Sequence, residues 1–207
     1  MANADTPRGI IPYRHFDGSV WNGSANIYYV PSGYAVNLFI GDPVEVINTS
    51  NDANGIPAVR VFQTPGTTAF IGSVVGIVSG GGAVGNYSLP ILQNSPIYHP
   101  ASTAQYILVA DDPTLLYMVQ DNAAAQAVAP NLWPGLNANL VSGTGSTTTG
   151  YSGWELASDT VAATNTLDVK IMSALQQPDN TIGTAANTSM NAKWLVKINR
   201  YGYANQV

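Results

Sequence analysis

The chain contains no cysteine and only two histidines, His15 and His99, far apart in sequence. Charge is scarce too: 7 Lys or Arg and 12 Asp or Glu make up 9% of the 207 residues, against roughly 25% in an average soluble domain. Without cysteine there is no disulfide framework, so stability has to come from packing, turns and contacts between subunits. General acid–base, nucleophilic and metal chemistry draw on the residue types that are scarce here. The expectation is a protein that presents surface rather than one that reacts: no enzyme, no catalytic residue, no cofactor and no metal. No stretch reaches the ~20 apolar residues of a membrane-spanning helix, and the start of the chain lacks the basic and apolar regions of a signal peptide. It reads as a protein made in a cytoplasm, with no membrane partner.

The few charges are unevenly placed. Residues 1–60 carry Arg8, Arg14 and Arg60 against Asp5, Asp17, Asp42, Glu45 and Asp52, a balance of −2. No cation follows until Lys170, while Asp111, Asp112, Asp121, Glu155, Asp159 and Asp168 give the middle −6. From Lys170 onward, Lys170, Lys193, Lys197 and Arg200 outweigh Asp179 for +3. Displacing counterions from phosphates needs more clustered cations than this, so no nucleic-acid partner is expected. A basic C-terminal surface meeting an acidic surface on a neighbouring subunit is the sharper reading, and ordinary solvated faces the simpler one.

What is abundant is turn and strand chemistry: 45% apolar residues, 20 glycines and 13 prolines describe one folded, turn-rich domain. Apolar alternation of period two predicts strands over 26–30, 43–47, 58–62, 69–78, 105–110, 115–120, 167–175 and 193–199. Eight or more short strands imply an all-β sandwich or barrel. Asn54-Gly55, between the second and third strands, predicts a hairpin. The alanine-rich run 121–129, stopped by Pro130, predicts one short helix. Residues 79–85 and 142–153, rich in Gly, Ser and Thr, predict loops.

Three segments imitate functional motifs. Gly145-Ser-Thr-Thr-Thr-Gly150-Tyr151-Ser152 approaches a phosphate-binding loop, but Tyr151 stands where the lysine must reach the phosphates. It reads as a flexible or partner-ordered surface loop. Ser50-Asn-Asp52-Ala-Asn54-Gly55 alternates oxygen ligands like a calcium loop, yet the twelfth place is Val61 rather than a bidentate glutamate, and turn chemistry explains it better. Asp111-Asp112-Pro113 reads as a turn ending a strand, with a divalent-cation site conceivable only if Asp121 lies near Asp111 across a strand pair. His15 and His99, in turn-rich contexts, read as packing or hydrogen-bonding residues.

The aromatic content is 11 Tyr and 4 Trp against 4 Phe, so most rings carry a polar handle, as residues buried against partners do. Trp194, within an alternating run, reads as core or sheet face. Trp21 and Trp154 are the better interface candidates, and exposed tryptophans could equally stack on sugars.

Several segments together resemble the structural cement, or capsid decoration, proteins of tailed bacteriophages. They are Met1-Ala-Asn-Ala-Asp-Thr-Pro-Arg-Gly9, Trp21-Asn-Gly-Ser-Ala-Asn-Ile-Tyr-Tyr-Val-Pro31, Leu38-Phe-Ile-Gly-Asp-Pro-Val44 and Asp52-Ala-Asn-Gly-Ile-Pro57. Further along come Ala101-Ser-Thr-Ala-Gln-Tyr-Ile-Leu-Val-Ala-Asp-Asp-Pro113, the glycine-bounded 143–153, Pro178-Asp-Asn-Thr-Ile-Gly183 and Ala192-Lys-Trp-Leu-Val-Lys-Ile-Asn199. The resemblance implies a jelly-roll-like β-sandwich on the virion capsid surface, bridging major capsid subunits as a homodimer or homotrimer. It supplies no residue-level motif, so the expected capsid or oligomer interface rests on physical grounds: Arg8, Ile10, Tyr13, Trp21, Trp133, Tyr151 and Trp154. Residues 1–12, with two prolines, Gly9 and little periodicity, read as an extended arm that orders on a neighbour. The alternative is a carbohydrate-binding β-sandwich, also compatible with display on a virion.

Overall fold

The computed structural model describes residues 3–78, 97–187 and 190–204; the expected loop at 79–85 lies outside them. In chain order the strands are β1 (Ile11–His15), β2 (Asn26–Val30), β3 (Leu38–Phe39), β4 (Pro43–Ile47), β5 (Ala58–Val61), β6 (Gly72–Ile77) and β7 (Tyr98–His99). There follow β8 (Gln105–Ala110), β9 (Leu115–Gln120), β10 (Asn137–Ala138), β11 (Leu140–Val141), β12 (Glu155–Leu156), β13 (Val169–Ala174) and β14 (Lys193–Ile198). The protein is all-β, and each of the eight alternating segments contains a strand.

Strands β2, β5, β4, β6 and β8 close a barrel in that order. Its neighbours are antiparallel except at the seam, where Tyr29 of β2 lies parallel to Ala58 of β5. Alternation sends Val30, Val44, Val59, Val74, Ile107 and Val109 inward, where they pack with Ile71. So few strands leave an interior that side chains fill. The β4–β5 hairpin forms as expected: Asp52 accepts from the backbone N–H of Asn54 and Ile56, and Gly55 takes φ +80°.

A second sheet, ordered β1-β9-β14-β13-β10, packs on the barrel. Tyr117, Val119, Trp194, Val196, Val169 and Ile171 share a buried cluster with Phe62, Phe70 and Ala110 from the barrel strands and their flanks. Tyr117 donates its hydroxyl to the Ala110 carbonyl at 2.8 Å, tying the two layers together. Trp133 and Trp194 lie with ring centroids 4.7 Å apart in this core. The buried Asp168 carboxylate accepts from the N–H of Gly66 (2.7 Å) and of Leu140 (3.0 Å).

Two local expectations fail. No helix forms over 121–129, because side chains there capture the backbone that a helix would use. Asp121 Oδ1 accepts from the Ala123 N–H, Asn122 Oδ1 from the Ala124 N–H, and Ala123 turns to φ +51°. The N-terminal segment is extended, as expected, but from Asn3 onward it binds its own chain. Asn3 bonds to Thr181 and Met190, Gln120 bridges the Ala4 carbonyl and the Thr6 N–H, and the Ile10 N–H donates to Gly41. Ile11 and Pro12 belong to β1, an edge strand where proline is tolerated.

Candidate interaction surface

β1 runs along one edge of the second sheet, and a turn at 15–20 returns beside it through a bridge between Arg14 and Val20. Asp17 holds this turn, accepting from the Ser19 N–H and hydroxyl. A bulge between Pro12 and Arg14 leaves Tyr13 unpaired and outward. Tyr13, Phe16 and Val20 are 45%, 58% and 82% exposed. The Lys197 ammonium lies 5.3 Å from the Phe16 ring centroid, a cation–π contact across the sheet face. The segment Tyr13-Arg14-His15-Phe16 carried the signal for this patch, an aromatic and cationic run ahead of Asp17-Gly18. Phe16 and Val20 carry no polar handle, so the tyrosine and tryptophan signal in the sequence does not include them.

The expected interface residues divide. Arg8 and Tyr151, 143 positions apart, come together with the guanidinium 4.9 Å from the ring centroid, and both are exposed. Tyr13 is exposed and Trp21 half-buried, its indole N–H donating to the Ser24 carbonyl. Ile10, Trp133 and Trp154 are core residues instead. A large ring gains more from full burial in its own subunit than from a surface, and Trp133 is anchored there by its N–H donating to Val128. They are withdrawn from the interface.

The loop at 142–153 is ordered by its own chain rather than by a partner. The Ile40 N–H donates to the Gly150 carbonyl and the Ser152 N–H to the Ile40 carbonyl, and Gly145 lies against the Phe39 ring. Gly143 and Gly153 face one another so closely that a Cβ on either would overlap the opposing backbone. With Phe39, Asp42 and Trp154 this loop borders an open cleft of about 750 Å³ that also presents Asn37 and Gln63.

Several carboxyls are perturbed by burial. Asp42 is pushed up to about 6 by desolvation, although it accepts the Phe39 N–H at 2.8 Å. Glu155 rises to about 7, through partial burial and the nearby charges of Asp5 and Asp121. Asp121 is itself raised by burial, despite accepting from the Ala192 N–H and the Trp194 indole. The conceivable Asp111–Asp121 pairing does not arise: β8 and β9 join different sheets, and Asp111 instead accepts from Asn26 and the Tyr28 hydroxyl. Among the described residues no three histidine, aspartate or glutamate side chains converge as metal ligands would. His15 lies 3.2 Å from the Thr114 hydroxyl, and buried His99 bonds the Thr103 carbonyl.

Searches against protein-family models, curated proteins and solved structures found no match to the chain.

Proposed function

We propose that the protein binds the outer surface of an icosahedral phage capsid and bridges major capsid subunits, stabilising the shell. The observation that supports this reading is the exposed cluster of Tyr13, Phe16 and Val20 on the β1 edge. Contiguous exposed apolar groups beside cations fit a protein partner better than solvent. The sequence resemblance supplies the identity of that partner. Clamping follows from copy number: when each homo-oligomer straddles several subunits, modest contacts must break together for the shell to open.

The test is co-sedimentation of the purified protein with expanded shells that lack it, with and without excess mixed glycans. Saturation at a fixed copy number per shell, indifferent to glycans, is the expected result. The cleft beside Asn37, Asp42 and Gln63 favours carbohydrate binding as a second reading. Failure to pellet, or release by one sugar, puts that reading ahead.

A further inference from the structure

The register of the second sheet places side chains in rows across its outer face, because directly opposed residues share a face. Tyr117 opposes Val196 on the core side, so the next residues along each strand point outward. There Lys170 opposes Lys197, Lys197 opposes Leu116, and Leu116 opposes Arg14. With strands about 4.8 Å apart, the three cations span a row roughly 14 Å long, with Leu116 buried among them. The adjacent row carries buried Leu195 with half-buried Met118 and Ile11, and the next pairs Lys193 with Gln120, which the N-terminal segment covers through Ala4 and Thr6. Arg8 stands at the rim, lining a small hollow with Lys193, Gln120 and Met118.

This face and its rim hold five of the seven cations of a chain whose net charge is −5. Among the described residues the ion pairs are His15–Asp112, Arg60–Glu45 and Lys193–Asp179. Among those residues Lys170, Lys197 and Arg14 have no carboxylate partner. Lys170 donates to the Gly135 carbonyl, and Lys197 lies over Phe16. Like charges directly opposed across strands repel, and among the described residues no carboxylate pairs with Lys170 or Lys197. An acidic surface on a partner would relieve that repulsion.

We infer that this face docks an acidic, partly apolar protein surface, which, resting on the reading above, is a patch of the shell. Electrostatic complementarity of this kind sets register and speeds encounter. A protein suits the face better than a nucleic acid because the cations border the exposed rings of Phe16 and Tyr13, with Lys197 lying over Phe16. Phosphate binding instead gains from many cations neutralising a continuous backbone.

The test compares Arg14→Gln/Lys197→Gln with Asn48→Glu/Thr49→Glu, which makes the same change in net charge on the exposed β4–β5 turn of the barrel. Expanded shells are the probe, titrated at 50 and 300 mM salt. Unchanged thermal unfolding of the Gln variant, checked first, shows that it folds. The expected result is at least a tenfold loss of shell affinity and a shallower salt dependence for the Gln variant, with the Glu variant within twofold of wild type. Equal binding by wild type and Gln variant overturns the inference. If wild type does not bind shells at all, the capsid reading falls, and immobilised poly-L-glutamate decides the face by itself. Retention there by wild type but not by the Gln variant upholds an acidic partner. Equal retention of the two, or preference for duplex DNA or phosphatidylserine vesicles, overturns it.

Discussion

Gly9 and Gly41 meet backbone to backbone, with no room for a side chain on either. A Cβ on Gly9 would overlap the Gly41 carbonyl, one on Gly41 would overlap the Arg8 carbonyl, and both residues have positive φ, +73° and +95°. The Ile10 N–H donates to Gly41 at 2.9 Å and the Gly41 N–H to Val74 at 2.8 Å, so the contact fastens the N-terminal segment to the barrel. Gly9→Ala meets both strain and overlap. We expect a loss of about 2 kcal/mol or more, read from the urea midpoint at unchanged m-value. A loss under half of that would show that the segment shifts without cost.

Removing residues 2–9 tests the same attachment on a larger scale. An arm that orders only on a neighbour would leave thermal unfolding of the isolated protein unchanged. The bonds of Asn3, Ala4 and Thr6 to Thr181, Met190 and Gln120 predict otherwise. A loss of about 2 kcal/mol lowers Tm by roughly 4–8 °C in a chain of this length. An unchanged melting curve would restore the free-arm reading.

Asp121 organises the end of β9. Its Oδ2 accepts from the Ala192 N–H at 3.0 Å and the Trp194 indole at 2.9 Å, while Oδ1 accepts from the Ala123 N–H at 3.0 Å. Asp121→Asn converts one acceptor into a donor and leaves buried N–H groups unsatisfied, an expected cost of about 1–3 kcal/mol. Combining it with Trp194→Phe, which removes the indole donor, is expected to cost less than the sum of the single changes. Strict additivity in this double-mutant cycle would contradict the shared bond.

Stability is expected to fall as pH rises from about 4.5 to 7. Asp42 and Glu155 have folded values of about 6 and 7, above their ordinary 3.8 and 4.5. The folded state therefore binds more protons in that window, and unfolding becomes easier as they leave. Asp121 and Asp168, also raised, act in the same direction. Asp17, Asp52 and Asp112 lie below their ordinary value and titrate beneath the window. Each raised group contributes a slope of at most about 1.4 kcal/mol per pH unit, with Glu155 well below that because it is partly solvated. Asp42→Asn is expected to flatten the curve of unfolding free energy against pH; an unaltered curve would remove Asp42 as its source.

The strands were legible because alternation is a local property, readable in segments such as 105–110 and 193–199. The 48–55 turn was legible for the same reason, as Asn-Gly and Asp52 act on their own backbone. β1 was missed because Pro7, Gly9 and Pro12 hide an edge strand whose pairing is with distant β9. The 121–129 helix was over-read because alanine propensity is weak beside side chains that take the backbone bonds. Exposure of the interface candidates was half legible: Arg8 and Tyr151 are exposed and adjacent, whereas Trp133 and Trp154 are in the core. A ring's polar handle does not say whether its partner lies in the same subunit.

By itself, the amino-acid order determined that the protein is all-β, with scarce charge, no disulfide and well-placed turns, since each follows from composition or short-range periodicity. Only the tertiary structure decided that β8 and β9, four residues apart, belong to different layers. It alone aligned Lys170, Lys197 and Arg14 in one row, from three strands spread over more than 180 residues. Pairing and register minimise the free energy of the whole packed chain, and no local window contains that sum.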